Sequence, residues 1–311
     1  MPSRISRRIA IVIAAAALLL LPGSFALAQS PDRLDLPDGW APEGVTALEG
    51  KLYVGSLADG AIWQVDPATG DGSILVPGVD GAVAVGVEGD AANGRIWVAG
   101  GRTGEVRAYD AESGELLETY RFDAGFLNDL VATPVAVYIS DSFTPQIAVV
   151  PLGPDGSLSE PSAATTMPIS GDLVYDEGAF NANGIVSTPA GLVVVTSQAG
   201  TLFRIDPQTG ESSMIDVGDV ELRAGDGLEL DGQTLYVVRN QVNTVAVLEL
   251  DEAVESASLT AELTSDELDI PATAALLGDD LWAANARFGT RATPETQYWL
   301  TRLDTAAGAE G

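Results

Sequence analysis

The sequence predicts an all-β fold, a six-bladed β-propeller with four antiparallel strands per blade. Three observations predict it. One unit of about 40–55 residues recurs six times. Apolar and polar residues alternate with period two inside each unit. Gly-, Asp- and Pro-rich turns separate the runs, and no long helical period intervenes.

The first element is not a blade. MPSRISRR, the apolar run Ile9 to Leu21 and SFALAQ together read as a secretory signal peptide covering residues 1–28. The run of 13 apolar residues is short for a membrane span, so no stable span is expected. Ser6-Arg7-Arg8-Ile9 also resembles a twin-arginine signal, and the export route stays open. Residues 29–311 are then one exported domain, periplasmic, extracellular or bound to the envelope.

The units begin at Gly44, Ala84, Asp129, Gly184, Gly227 and Thr273. Each opens with a short apolar strand. A β-branched or aromatic strand follows: LYVGS, IWVAG, VYISD, LVVVT, LYVVR, LWAAN. The third strands read AIWQVD, EVRAYD, QIAVVP, TLFRID, TVAVLEL and WLTRLD. Turns such as DPATG, DAESG and DPQTG lead to a fourth, weaker strand. The last unit shows three clear strands, and Arg33 to Leu36 is expected to supply its missing outer one, because an open ring would leave unpaired edges. A pair of β-sandwiches could use similar strands but rarely repeats so regularly. Residues 251–268 read as partly helical and 264–271 as an acidic linker without the spacing of an EF-hand loop.

Polar breaks precede four of the first strands. PEGV carries Glu43, LNDL carries Asn128, NANG carries Asn183 and GDG carries Asp226. The first strand of a blade lines the central channel, so these four residues are predicted to meet at one mouth, with Val83 and Ala272 or Thr273 filling the places of blades 2 and 6. Two carboxylates and two amide oxygens make a hard-oxygen set of formal charge −2, suited to Ca2+ or another divalent cation. Asn-Gly and Asp-Gly are also ordinary turn formers, which accounts for Asn183 and Asp226 but poorly for Glu43 and Asn128.

These pieces, in order over residues 36–304, resemble the senescence marker protein, gluconolactonase and luciferin-regenerating enzyme family, with the paraoxonases more distant. The resemblance implies a catalytic divalent metal, usually calcium, held by Glu43, Asn128, Asn183 and Asp226. It also implies hydrolysis of a small-molecule lactone or ester, with Asp226 taking a proton from the attacking water. The paraoxonase-type histidine pair is absent, since the chain has no histidine. Arg102 and Arg121 are candidates for the substrate-reading arginine of gluconolactonases. Arg239, Asn240, Asn285 and Arg287 are further candidates to face the channel. The other expectation is a non-catalytic binding propeller, with or without a structural calcium.

Composition narrows the alternatives. With no Cys and no His, thiol or imidazole nucleophiles, Ser-His-Asp triads and the usual ligands of zinc, copper and iron are excluded. The formal net charge of −30, or −33 once Arg4, Arg7 and Arg8 leave with the leader, repels nucleic acid and anionic lipid. No nucleic-acid partner is expected, and the domain is expected to act as a monomer.

Overall fold

The computed structural model describes residues 31–306. The proposed leader lies outside the described residues. Six four-stranded antiparallel sheets form the blades of a β-propeller. Blade 1 runs Pro42–Leu48, Lys51–Ser56, Ile62–Val65 and Gly72–Val76; blade 2 runs Val87–Asp90, Arg95–Ala99, Glu105–Asp110 and Leu116–Arg121. Blade 3 runs Leu127–Ala132, Ala136–Asp141, Gln146–Pro151 and Thr165–Pro168. Blade 4 runs Ala182–Thr188, Gly191–Thr196, Thr201–Ile205 and Glu211–Met214, and the short Ser170–Gly171 adds to its outer edge in parallel. Blade 5 runs Gly225–Asp231, Thr234–Arg239, Thr244–Leu250 and Ala257–Thr264. Blade 6 runs Pro271–Leu277, Asp280–Asn285 and Trp299–Asp304.

The outer strand of blade 6 is Arg33–Asp35, which pairs antiparallel with Trp299–Asp304 in the register Arg33↔Thr301 and Asp35↔Trp299. The N-terminal segment thus closes the ring, as the missing strand of the last unit required. Leu34 and Leu36 drop into a core with Trp40, Trp282 and Leu300.

Alternation sets where the cores lie. One face of each strand packs on the preceding blade and the other on the following one, so the buried side chains divide into six clusters, one at each seam. Bulky, fully buried Trp97, Tyr120 and Trp282 fill the widening gap away from the axis. The turns between third and fourth strands work as their sequence suggests. In DAESG, Asp110 accepts the Ser113 N–H at 2.8 Å, and Gly114 takes a left-handed φ of 71°.

One expectation is corrected. Residues 257–264 are not helical but form the outer strand of blade 5, with Val245↔Leu263 and Val247↔Ala261 in register. Their Ala, Glu and Leu favour helix locally, but the open edge of Thr244–Leu250 offers a row of backbone partners, and pairing prevails. Among the described residues, helix is limited to short 3₁₀ turns, at Pro161–Ala163, at Asn240–Val242 and at residues 305–306. None is long and apolar enough to cross a membrane.

Candidate functional site

The site rests on a defect repeated in the innermost strands. In blade 1 the register moves from Pro42↔Ser56 to Val45↔Val54, so Glu43 and Gly44 oppose a single residue. This is a β-bulge, which turns a side chain off the sheet normal and toward the axis. The same shift isolates Asn128-Asp129 in blade 3, Asn183-Gly184 in blade 4, Asp226-Gly227 in blade 5 and Ala272-Thr273 in blade 6. In blade 2 the Val85 N–H and the Gly86 carbonyl both bond to Ala99, the equivalent bulge.

The first bulge residues therefore form one ring: Glu43, Val85, Asn128, Asn183, Asp226 and Ala272. Ala272 holds its predicted place. In blade 2 the member is Val85, not Val83, two residues further along. Val83 instead offers its carbonyl to the guanidinium of Arg107. The second bulge position explains four glycines. A Cβ on Gly44 would lie 2.3 Å from the Val85 carbonyl oxygen, and one on Gly184 would lie 2.4 Å from that of Asp226. Gly86 and Gly227 face the next blade in the same way.

Glu43, Asn128, Asn183 and Asp226 are all buried, and all line one cavity of ≈250 Å³ at a channel mouth. A second ring steadies them from 14 residues further along each chain segment. Asn128 donates to Ser142 Oγ at 2.9 Å and Asn183 to Ser197 Oγ at 2.7 Å. Asn240 donates to Asp226 Oδ2 at 2.7 Å. The backbone puts these partners there: Ser142, Ser197 and Asn240 donate their N–H groups to the carbonyls of Phe126, Asn181 and Ala224. Ala224 has φ 63°, a left-handed conformation costly for a non-glycine residue and of the sort found at functional sites. In blade 1 the corresponding place is Leu57, which offers no side-chain donor, so Glu43 has no hydrogen-bond partner among the described residues.

Asn183 also donates to Asp226 Oδ1 at 2.6 Å, which ties blade 4 to blade 5. The amide nitrogens of Asn128, Asn183 and Asn240 are thus all engaged, and their oxygens are left over. Asn128 Oδ1 and Asn240 Oδ1 are buried without any partner. Burial, followed by the charges of Asp226 and Asp129, pushes the Glu43 carboxyl well above the usual range. Burial raises Asp226 to about 7, against the amide hydrogen bonds from Asn240 and Asn183. The mouth is therefore rich in oxygen and short of positive charge. Among the described residues, no three His, Cys, Asp or Glu side chains converge on one point. The carboxylates at this mouth are two, and amide oxygens make up the rest.

Asp129 occupies a position that holds glycine in blades 1, 2, 4 and 5. Its carboxylate accepts the Leu130 N–H at 2.9 Å and the Ile185 N–H of blade 4 at 3.3 Å. Deeper in the channel, Glu88 accepts from Ala132 and Glu229 from Leu276, each on the following blade. Burial raises Glu88 to about 8, and Asp129 and Glu229 to about 7. Sequence reasoning passed over all three.

The remaining candidates divide. Asn240 belongs to the site. Arg239 pairs with Glu262 at 2.9 Å beside a neighbouring groove. Arg102 is exposed at the rim and stacks on Phe143, 4.9 Å from the ring centroid. Arg121 is on the outer strand of blade 2, paired with Glu105 at 2.6 Å. Asn285 is buried in blade 6, donating to Thr301 Oγ1 at 2.8 Å and accepting from Asp269. Arg287 pairs with Asp269 at 2.7 Å and stacks on Trp299. The constant step of 14 residues from ring member to partner is the signal by which Asn240 could have been found.

Fold and mouth together define a β-propeller with a buried oxygen-lined axial site. No family model matches the chain, and no curated protein matches it by sequence. Solved structures with the same fold include the major allergen Mala s 1 of Malassezia sympodialis, at TM-score 0.68 and 17% identity over 89% of this chain and 97% of that one. Luciferin-regenerating enzyme superposes at TM-score 0.58 with 13% identity, over 86% and 92% of the two chains. Virginiamycin B lyase of Staphylococcus aureus gives 0.55 and 13%, over 81% of each chain. Identities this low bear on the fold alone.

Proposed function

We propose that the chain is an exported hydrolase of a lactone or ester that depends on a divalent cation, calcium by preference. The observation that carries this reading is the Asn128 side chain: it is 3% exposed, its nitrogen is satisfied, and its oxygen has no partner. A buried unpaired acceptor costs about 1–3 kcal/mol unless something binds it. Beside it stand Glu43, also without a donor, and Asp226, so two confined carboxylates lack a counter-ion. Hard oxygen donors of this number and charge fit calcium.

Glu43, Asn128, Asn183 and Asp226 would hold the ion. When bound, it would polarise the carbonyl of the ester and lower the cost of the developing oxyanion. Asn183 and Asn240 clamp both oxygens of Asp226, fixing the carboxylate plane. Asp226 would take the proton from the attacking water, since it is the most firmly oriented acceptor at the mouth. Ser197 holds Asn183 in turn, which keeps the amide from rotating.

A panel of lactones and aryl esters, assayed with and without chelator, tests the reading. The expected outcome is turnover that chelator abolishes and calcium restores, and that Asp226→Ala lowers by a factor of about 10² or more. Chelator-indifferent turnover that survives Asp226→Ala would remove it. A second reading is a binding propeller. It is favoured by the absence, among the described residues lining the cavity, of any titratable side chain other than Glu43 and Asp226 to protonate a leaving group. A calcium-dependent rise in Tm with no turnover on the panel would select it.

A further inference from the structure

Beyond the oxygen donors, the cavity wall is Leu57, Val85, Phe126, Phe180 and Phe288. Its other polar members are Ser197, which accepts from Asn183, and Asn240, which donates to Asp226 and keeps only its Oδ1 unpaired. Phe126, Phe143 and Phe180 form a cluster with centroids 4.8–6.1 Å apart, Phe126 edge-to-face with both others and Phe143 tilted against Phe180. Phe180 nevertheless remains 45% exposed and Phe288 38% exposed, unusual for large aromatics on so acidic a surface. At Phe180, Ser197 and Asn240 the cavity runs into a groove of ≈490 Å³ between blades 4 and 5, where Val242 is also exposed. Arg223 and Arg239 border this groove, but Glu221 and Glu262 already pair with them at 3.6 and 2.9 Å. The groove therefore has no spare cation for an anionic tail.

Building on the hydrolase reading, we propose that the substrate is an apolar lactone or ester with an alkyl or aryl chain, and not a polyol lactone. The reacting group would sit at the oxygen ring, its apolar body against Phe126, Phe180 and Phe288, and its chain along the groove past Val242. At the wall of the inner cavity most ring hydroxyls of a sugar lactone would leave water and meet the carbon of Leu57, Val85 and the three phenylalanines, while the amides of Gln198 and Gln241 lie only along the outer groove. Each buried hydroxyl without a partner weakens binding by about tenfold or more. Each buried methylene tightens it about three- to fourfold.

Lactams resist hydrolysis, so their binding reads substrate class separately from catalysis. Calorimetry on the mature chain with calcium would use 6-alkyl-δ-valerolactams of rising chain length and gluconolactam. The expected result is affinity that climbs about three- to fourfold per methylene, with gluconolactam at least tenfold weaker than the hexyl compound. Phe180→Ala and Val242→Ser should weaken the hexyl compound by about tenfold and threefold. A flat chain-length series, gluconolactam binding as tightly as the hexyl compound, or no binding by any member would overturn the proposal. The matching lactones separate the two readings. The lactam series holding without lactone turnover keeps the substrate class and sinks the hydrolase. Turnover that prefers gluconolactone does the reverse.

Discussion

Glu43 has the least satisfied position in the ring. Its three polar counterparts each meet a Ser or Asn 14 residues on, whereas Glu43 meets Leu57. Replacing it with Gln removes a charge that burial and Asp226 both disfavour. Without divalent cation, Glu43→Gln is expected to melt higher than the parent at pH 8. With calcium, the cation-dependent rise in Tm should shrink to near zero. Calorimetry with and without calcium measures both, and a full calcium response in the variant would exclude Glu43 as a ligand. The four ring residues were legible because each interrupts an apolar pattern with a polar type that the following strand cannot use. Val85 was misplaced because GAVAVGV repeats Ala and Val at alternate positions, so its register can slip by two without changing the pattern. Asn240 was only half legible, since an Asn ending a strand looks like any turn residue until its bond to Asp226 is seen.

The inner strands do two jobs. Their bulges aim the ring residues at the axis, and the next positions lace each blade to the following one. Thr46 Oγ1 accepts the Gly89 N–H at 3.0 Å, and Glu88 and Glu229 make the same kind of contact from blades 2 and 5. A carboxylate used this way is fixed but poorly solvated. Burial raises Glu229 to about 7, so the fold prefers its protonated form and holds more protons than the unfolded chain from about pH 4 to pH 7. Stability contributed by Glu229 is therefore highest in acid and declines as pH rises through that window. Glu229→Gln keeps an acceptor for Leu276 without the charge. In the cation-free protein it should raise Tm by about 4–8 °C at pH 8, on the order of 2 kcal/mol, with the gap closing by pH 4.5. A Tm difference independent of pH would contradict the assignment. Strands of this kind read clearly in sequence where both faces are buried. The outer strand Ala257–Thr264 did not, because it is largely exposed and its Ala, Glu, Ser and Thr satisfy no single period.

Six units of one pattern, read from the sequence, become six blades, and the expected outer strand closes the last of them. The closure is short but well anchored. Arg33 stacks 4.1 Å from the Trp299 ring centroid and pairs with Glu267 at 3.2 Å, while Leu34 is 4% exposed. Leu34→Asp buries an unpaired charge between blades 6 and 1 and should cost about 3 kcal/mol or more. Denaturant melts should show a lower midpoint for this variant, and an unchanged midpoint would mean that the closure is dispensable. The channel was legible only at one end. The oxygen ring announces itself by breaking the pattern, whereas Glu88, Asp129 and Glu229 sit inside strands where a polar residue passes for a solvent-facing one.

The clasp between Arg33 and Thr301 also fixes an order of events. Arg33–Asp35 cannot pair until Trp299–Asp304 has been made, so the seam between blades 6 and 1 cannot close before the chain of all six blades exists. Until then two edges with a tryptophan-lined interior lie open to other copies.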